Sequence, residues 1–272
     1  MELKQNHPYH LVELSPWPIL TAFSLLAVTG GMAMFMHGIL AGDFILGFGL
    51  LAVIYCSYSW WKDVINEGRI GKFHTEEVRN GLRIGMSLFI LSEVMFFFAF
   101  FFAFFSSQFF PAGILEGLWV VGEGVWPPAN IKTFDPWDIP FINTLILLLS
   151  GTTVTWAHYS IEHNDQKSTV QALGITIILG ILFSMFQAFE YHHAEFKMSD
   201  GIYAANFYLA TGFHGLHVIL GTIFLAVCYF RAKKGHFVNG QGHLGFEFAA
   251  WYWHFVDVVW LFLFIFVYVL GR

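Results

Sequence analysis

The sequence predicts an all-α integral membrane protein with seven transmembrane helices. Three observations carry this. Only 12% of the 272 residues are charged, about half the 25% usual in a soluble domain, and mean hydropathy is +0.61. The apolar residues gather into seven stretches long enough to cross a hydrocarbon core of about 30 Å. The cationic side chains fall unevenly on the connections between those stretches, as they do in multi-pass proteins.

Taken in order, the spans cover residues 16–36, 44–61, 82–108, 139–158, 170–191, 204–231 and 248–270, within a single transmembrane domain over 1–272. Pro16 and Pro18 sit at the first turn of span one, where a missing N–H costs nothing. The short connection to span two allows the first pair to form a separate hairpin. Span two closes on Trp60-Trp61-Lys62-Asp63, an interfacial pattern of aromatic and basic residues. Span three is the most apolar. In residues 84–105 only Gly85, Ser87, Ser92 and Glu93 are not apolar, and nine are Phe.

The connection from 109 to 138 is the longest, and its GEGVWPP and FDPWDIP segments suggest an ordered cap rather than a linker. Pro111, Pro127, Pro128, Pro136 and Pro140 fall in it or at its edge, and no proline interrupts the deeper part of any span. Tyr229-Phe230-Arg231 closes span six, and Trp251-Tyr252-Trp253 lies just inside span seven.

Orientation follows from counting. Lys4, Lys62, Arg69, Lys72, Arg79, Arg83, Lys167, Arg231, Lys233 and Lys234 fall on one side, and Lys132, Lys197 and Arg272 on the other. This ten-to-three split puts the N-terminus inside and the C-terminus outside. The first residues lack the apolar core of a signal peptide, so span one is expected to act as its own insertion signal. Cys56 and Cys228 both lie in apolar stretches with no Cys or His at metal spacing, and read as small buried hydrophobes.

The ionisable residues within the spans are the candidate functional positions, because a charge at membrane depth is costly. Glu93 lies about 16 Å from the inner surface at 1.5 Å per residue. Asp257 lies at about 15 Å, His217 at about 21 Å and His214 at about 25 Å on the same scale. His214 and His217 share a helix face, as do His254 and Asp257. Glu93, Asp257 and His217 are therefore expected in one polar layer if spans three, six and seven are neighbours, with His214 and His254 beside them. Satisfied structural hydrogen bonding is the competing reading of each.

Thirteen histidines raise the question of metal. They are dispersed, with no HExxH and no CxxCH, so no metal site is expected. Nucleotide-binding and hydrolase motifs are missing too, and nothing points to nucleic acid. Aromatic walls and basic residues at the inner interface suggest either ordinary anchoring or a phospholipid site, in which Arg231 or His74 meets a phosphate.

The segments SPWPI, WWKDVINEG, LSEVMFFFAFF, PFINTLILLLSG, VTWAH, SDGIY, ATGFHGLHVILGT and GFEFAAWYWHFVDVVWLFLF resemble, in order and spacing, subunit III of the cytochrome c oxidases. The resemblance covers nearly the whole chain, and seven spans favour the cytochrome c branch, here of bacterial aa3 type. It implies a two-helix bundle (spans one and two) and a five-helix bundle (spans three to seven) separated by a lipid-filled V-shaped cleft. It implies a non-catalytic core subunit that packs directly on subunit I, beside subunit II, in a complex that oxidises cytochrome c.

Haem a, haem a3, CuA and CuB would belong to those partners and none to this chain. The family's carbodiimide-reactive membrane glutamate matches Glu93. Its lipid contacts match Trp60, Trp61, Glu67, His74 and Arg231. Lys62 departs from the arginine common after the paired tryptophans, and an ammonium cannot form a bidentate fork on phosphate.

The resemblance further implies support of proton uptake and protection of the catalytic subunit from turnover inactivation. The expected location is the bacterial inner membrane, with the mitochondrial inner membrane as the alternative. Two other functions remain open on the residues alone: an independent His-rich membrane metalloenzyme, and a proton channel or transporter using Glu93, Asp257 and the histidine pairs.

Overall fold

A computed structural model describes residues 9–12, 14–70, 73–110, 125–129, 131–237 and 243–272. The expectations for Lys4, His7, Lys72, Pro111 and the first part of the GEGVWPP segment lie outside them. Among the described residues there are seven long helices and no strand. They are α1 (Trp17–Met36), α2 (Gly42–Ile70), α3 (Glu76–Phe109), α4 (Ile139–Glu162), α5 (Gln166–His192), α6 (Ile202–Lys233) and α7 (Leu244–Phe262), the last continuing into a π-helical segment, Leu263–Val269. All seven are long and apolar enough to cross a membrane.

The spans read from the sequence mark apolar cores, and the helices overrun them. α2 continues nine residues beyond the expected end at Trp61, through KDVINEGRI. α3 begins six residues before the expected start, on the polar turn EEVRNG. Hydropathy locates hydrocarbon; helical hydrogen bonding does not stop at its edge. The 34 residues of α3 measure about 51 Å at 1.5 Å each, well over the roughly 30 Å of a bilayer core. α5 starts at Gln166 because Asp165 caps it. The Asp165 carboxylate accepts from the Ser168 backbone N–H at 3.1 Å and from the Ser168 hydroxyl at 2.6 Å, satisfying an otherwise orphaned donor of the first turn.

The chain divides into two compact units, Met1–Leu82 and Arg83–Arg272. In the first, α1 and α2 form a close antiparallel hairpin. A Cβ on Gly31 would stand 2.5 Å from the Leu46 backbone nitrogen, and one on Gly49 would stand 2.7 Å from that of Val28. Glycine here permits backbone-to-backbone approach, the usual means of helix association in lipid. The connecting turn holds Ala41 at φ +89°, a conformation that disfavours any residue with a Cβ. Few side chains of this hairpin are buried; Ser24 and Cys56 are the main ones.

In the second unit, α4 packs on α5, α5 on α6, α6 on α7, and α7 closes back on α4. α7 is the most buried helix, with Trp253, Trp260, Val256 and Leu263 all inside. The indole N–H of Trp253 donates to Ser150 Oγ at 2.9 Å, and that of Trp260 donates to Thr144 Oγ1 at 2.9 Å. These two bonds pin α7 to α4. Trp253 also fills a slot left by Gly180 on α5 and Gly221 on α6, whose absent Cβ atoms would stand 2.8 and 2.9 Å from the indole. The phenylalanines of α3 interleave with α6 and α7: Phe96 and Phe100 meet Phe213 at 5.1 Å between ring centroids, and Phe105 meets Phe266 at 5.3 Å. Such pairs add about 0.5–1.5 kcal/mol each beyond area burial.

Candidate functional site

Glu93 lies on the face of α3 turned toward α6, and its Oε2 is 2.9 Å from Nε2 of His217. The pair is shielded but not sealed, with side-chain exposures of 21% for Glu93 and 10% for His217. Phe97 meets the imidazole edge-on at 5.0 Å, and Tyr252 lies parallel to it at 6.2 Å. The other ring nitrogen, Nδ1, is 2.6 Å from the backbone carbonyl of Phe213. A carbonyl oxygen only accepts, so Nδ1 carries a proton.

In a neutral imidazole Nε2 is then an acceptor, and a carboxylate offers it nothing. The 2.9 Å contact therefore needs one further proton, either on Glu93 or on Nε2. Glu93 and His217 form a one-proton unit inside the membrane-spanning part of the protein.

The other polar residues of the spans are placed elsewhere. His214 Nε2 donates to the Val256 carbonyl at 3.1 Å and is fully buried. Asp257 faces α4, where its Oδ2 occupies the space beside Gly151 and lies 3.7 Å from His254 Nδ1. The Thr155 hydroxyl donates to the Gly151 carbonyl at 2.9 Å, so at its 3.3 Å contact with His254 Nε2 it acts as acceptor. Of the four side chains expected around Glu93, the structure brings His217 to it; His214 is held by α7 backbone, and Asp257 and His254 line the α4–α7 seam.

Two features escaped the sequence reading. Arg83, at the inner end of α3, donates from Nε and a terminal nitrogen to Glu247 of α7 at 2.9 and 3.0 Å, a bidentate fork. Nothing local in the sequence links residues 83 and 247. At the other end, Tyr268 donates to Glu190 Oε1 at 2.6 Å, with both residues buried. The spacing of Gln187, Glu190 and Tyr191 on one helix face was the available signal.

Within the first unit, Trp60 and Trp61 are exposed on α2. Glu67 follows on the same helix, and its Oε2 lies 3.7 Å from His10 Nε2. The His10 and His74 rings are 5.4 Å apart. Burial, then the neighbouring His10 and Arg79, hold the His74 imidazole below its ordinary pKa, so the ring is neutral at neutral pH. Arg231, in the second unit, lies 4.9 Å from the Phe237 ring centroid, a cation–π distance.

With this geometry in hand, comparison with known proteins is direct. The family model described as cytochrome c oxidase subunit III matches residues 7–272. The chain belongs to the cytochrome c oxidase subunit III family. It is 65% identical over 268 residues to a probable cytochrome c oxidase subunit 3 of Rickettsia bellii, covering 98% of this chain and 97% of that one. It is 63% identical over 270 residues to the Rickettsia prowazekii counterpart, covering 99% and 97%. It is also 53% identical over 267 residues to cytochrome c oxidase subunit 3 of Prototheca wickerhamii, covering 98% and 99%.

As a member of the subunit III family the chain is one component of a multi-subunit oxidase. Seven membrane-crossing helices and the rickettsial relatives make it a multi-pass protein of the bacterial inner-membrane type, with eukaryotic relatives on the mitochondrial side.

Proposed function

We propose that the chain is the non-catalytic core subunit III of an aa3-type cytochrome c oxidase. It packs directly on subunit I, beside subunit II, in the complex that oxidises cytochrome c, with its N-terminus on the inner side. It holds structural phospholipids, supports proton uptake and protects the catalytic subunit from turnover inactivation. The observation that carries the reading is the near-full-length similarity to subunit 3 proteins.

The site geometry is compatible with a supporting role. The ring nitrogens of His217 are engaged by Phe213 and Glu93, and His214 is engaged by Val256. A pair already satisfied within the protein stiffens the α3–α6 contact and holds one proton at membrane depth. The redox groups (haem a, haem a3, CuA and CuB) are assigned to subunits I and II.

Lipid contact is assigned to Trp60 and Trp61, whose exposed rings suit an acyl chain, and to Arg231, whose guanidinium suits a phosphate. Glu67 and His74 complete this set as headgroup contacts.

The test is to purify the oxidase with and without this chain. Without it, haem and copper content and the initial turnover rate persist, while activity decays faster during turnover. Loss of haem a3 or copper, or decay at an unchanged rate, would overturn the assignment. Iron and copper analysis of the isolated chain separates this reading from an independent metalloenzyme. Proton flux through the isolated chain in liposomes separates it from a channel.

A further inference from the structure

The geometry points to a divalent transition-metal site of the zinc type in the first unit, formed by His10, Glu67 and His74. One ligand atom from each residue lies within 4.8 Å of the other two. The donor set is two imidazoles and one carboxylate, the combination that binds zinc in three-ligand sites with an open fourth position. Around a zinc with arms of about 2.0–2.2 Å, tetrahedral donors stand roughly 3.4 Å apart. The His10–Glu67 contact, at 3.7 Å, is already close to that spacing. The remaining approach is at most about 1.4 Å from the outer limit of the cluster.

The elements allow it. Glu67 is fixed on the final turns of α2. His74 stands in the short connection before α3, and its ring packs over Gly68, where a Cβ would come within 3.3 Å of it. His10 lies outside the helices, in the described residues 9–12 that precede α1. Both imidazoles lie on non-helical residues, so their approach to Glu67 does not require a helix to move.

Donor chemistry selects the occupant. Nitrogen ligands disfavour magnesium and calcium, which prefer oxygen. The Glu67 carboxylate suits a cation, even though Arg79 adds positive charge near His74. A bound metal would tie the segment before α1 to the far end of α2, and water or a headgroup oxygen would complete its coordination. The site goes beyond the proposed subunit role, and metal and lipid headgroup would compete for Glu67 and His74.

The experiment is zinc binding to the full chain in detergent micelles after chelator treatment, in excess magnesium. The expected result is one zinc whose affinity falls by about 100-fold or more in His10→Gln, His74→Gln and Glu67→Gln, since even loss of an outer-shell partner costs 10–100-fold. Glu67→Asp should retain part of the affinity, and His163→Gln all of it. Cobalt should give a tetrahedral visible spectrum in the parent chain and in His163→Gln, and lose it in His10→Gln, His74→Gln and Glu67→Gln. Unchanged zinc affinity in the three ligand variants would overturn the site. Retention of zinc with loss of bound phosphatidylglycerol in those variants would also overturn it, assigning the residues to a phosphate headgroup instead.

Discussion

Replacing Glu93 tests the one-proton unit most sharply, because two substitutions of similar size make opposite demands on it. With Nδ1 of His217 committed to Phe213, Nε2 requires a donor. Gln at position 93 supplies one: its amide N–H reaches Nε2 with no shared proton, so Glu93→Gln should stay within about 0.5 kcal/mol of the parent chain, the range of a benign substitution. Glu93→Ala supplies none. Polar pairs between membrane helices average about 0.6 kcal/mol and reach about 1.7. The 2.9 Å distance and the aromatic shielding place this pair near the top of that range.

A double-mutant cycle with His217→Ala should therefore give a coupling of about 1.5 kcal/mol, roughly 12-fold in the equilibrium constant. Unfolding of the full chain in mixed detergent micelles, titrated with sodium dodecyl sulfate, measures each corner. Infrared difference spectra between the parent chain and Glu93→Gln report separately whether Glu93 or the ring carries the extra proton. A Gln variant as unstable as the Ala variant, or alanine effects that simply add, would refute the proton count and leave Glu93 and His217 as unrelated neighbours.

Other outcomes follow from the packing. Gly180→Ala drives a methyl toward Thr222 Oγ1 and the Trp253 ring and should cost about 1–3 kcal/mol; Gly30→Ala, which meets nothing within 4 Å, should cost nothing in the same unfolding assay. Ala41→Gly relieves the positive φ of the α1–α2 turn and should raise stability by about 0.5–1 kcal/mol, read as a shift of the unfolding midpoint. Arg83→Lys keeps the charge but loses the two-pronged bond to Glu247, at about 0.5–1 kcal/mol for this half-exposed pair. The Ser168 hydroxyl and N–H hold the Asp165 pKa below the usual carboxylate range. Its folded pKa is therefore the lower one, so its stabilising contribution is complete above the ordinary value, fades as pH falls through the depressed one, and is lost in Asp165→Ala; circular dichroism across acid pH follows it.

The membrane class and the number of helices were legible because both follow from composition along the chain, a local property. Glu93 was legible as a candidate for the same reason: an acid amid nine phenylalanines stands out. Its partner was reached by a depth estimate, and that estimate could not separate residues on different faces. Glu93 and Asp257 came out at nearly equal depth, yet one turns to α6 and the other to α4. Rotation of a helix about its axis is set by packing partners distant in sequence. Arg83 and Glu247, 164 positions apart, are invisible for that reason. So is the fit of Trp253 between Gly180 and Gly221, which depends on three helices at once. Helices α2 and α3 run past the apolar spans read for them because the sequence signal was hydropathy, which reports on solvent rather than on backbone.

The π-helical segment Leu263–Val269 has a consequence for sequence length. Its wider turn, seen where the Leu270 N–H donates to the Ile265 carbonyl at 2.9 Å, accommodates one residue more than an α-helix would over the same rise. Removing a single residue there would let the backbone relax into ordinary α-helix with its hydrogen bonds intact. Because the extra residue is taken up inside the wide turns, the side chains beyond the deletion would keep nearly the same facing, whereas one residue removed from an α-helix turns everything after it by about 100°. A deletion that spares Tyr268 would therefore leave its bond to the buried Glu190 in place. The end of this helix thus tolerates the loss of one residue more readily than the α-helical part before it.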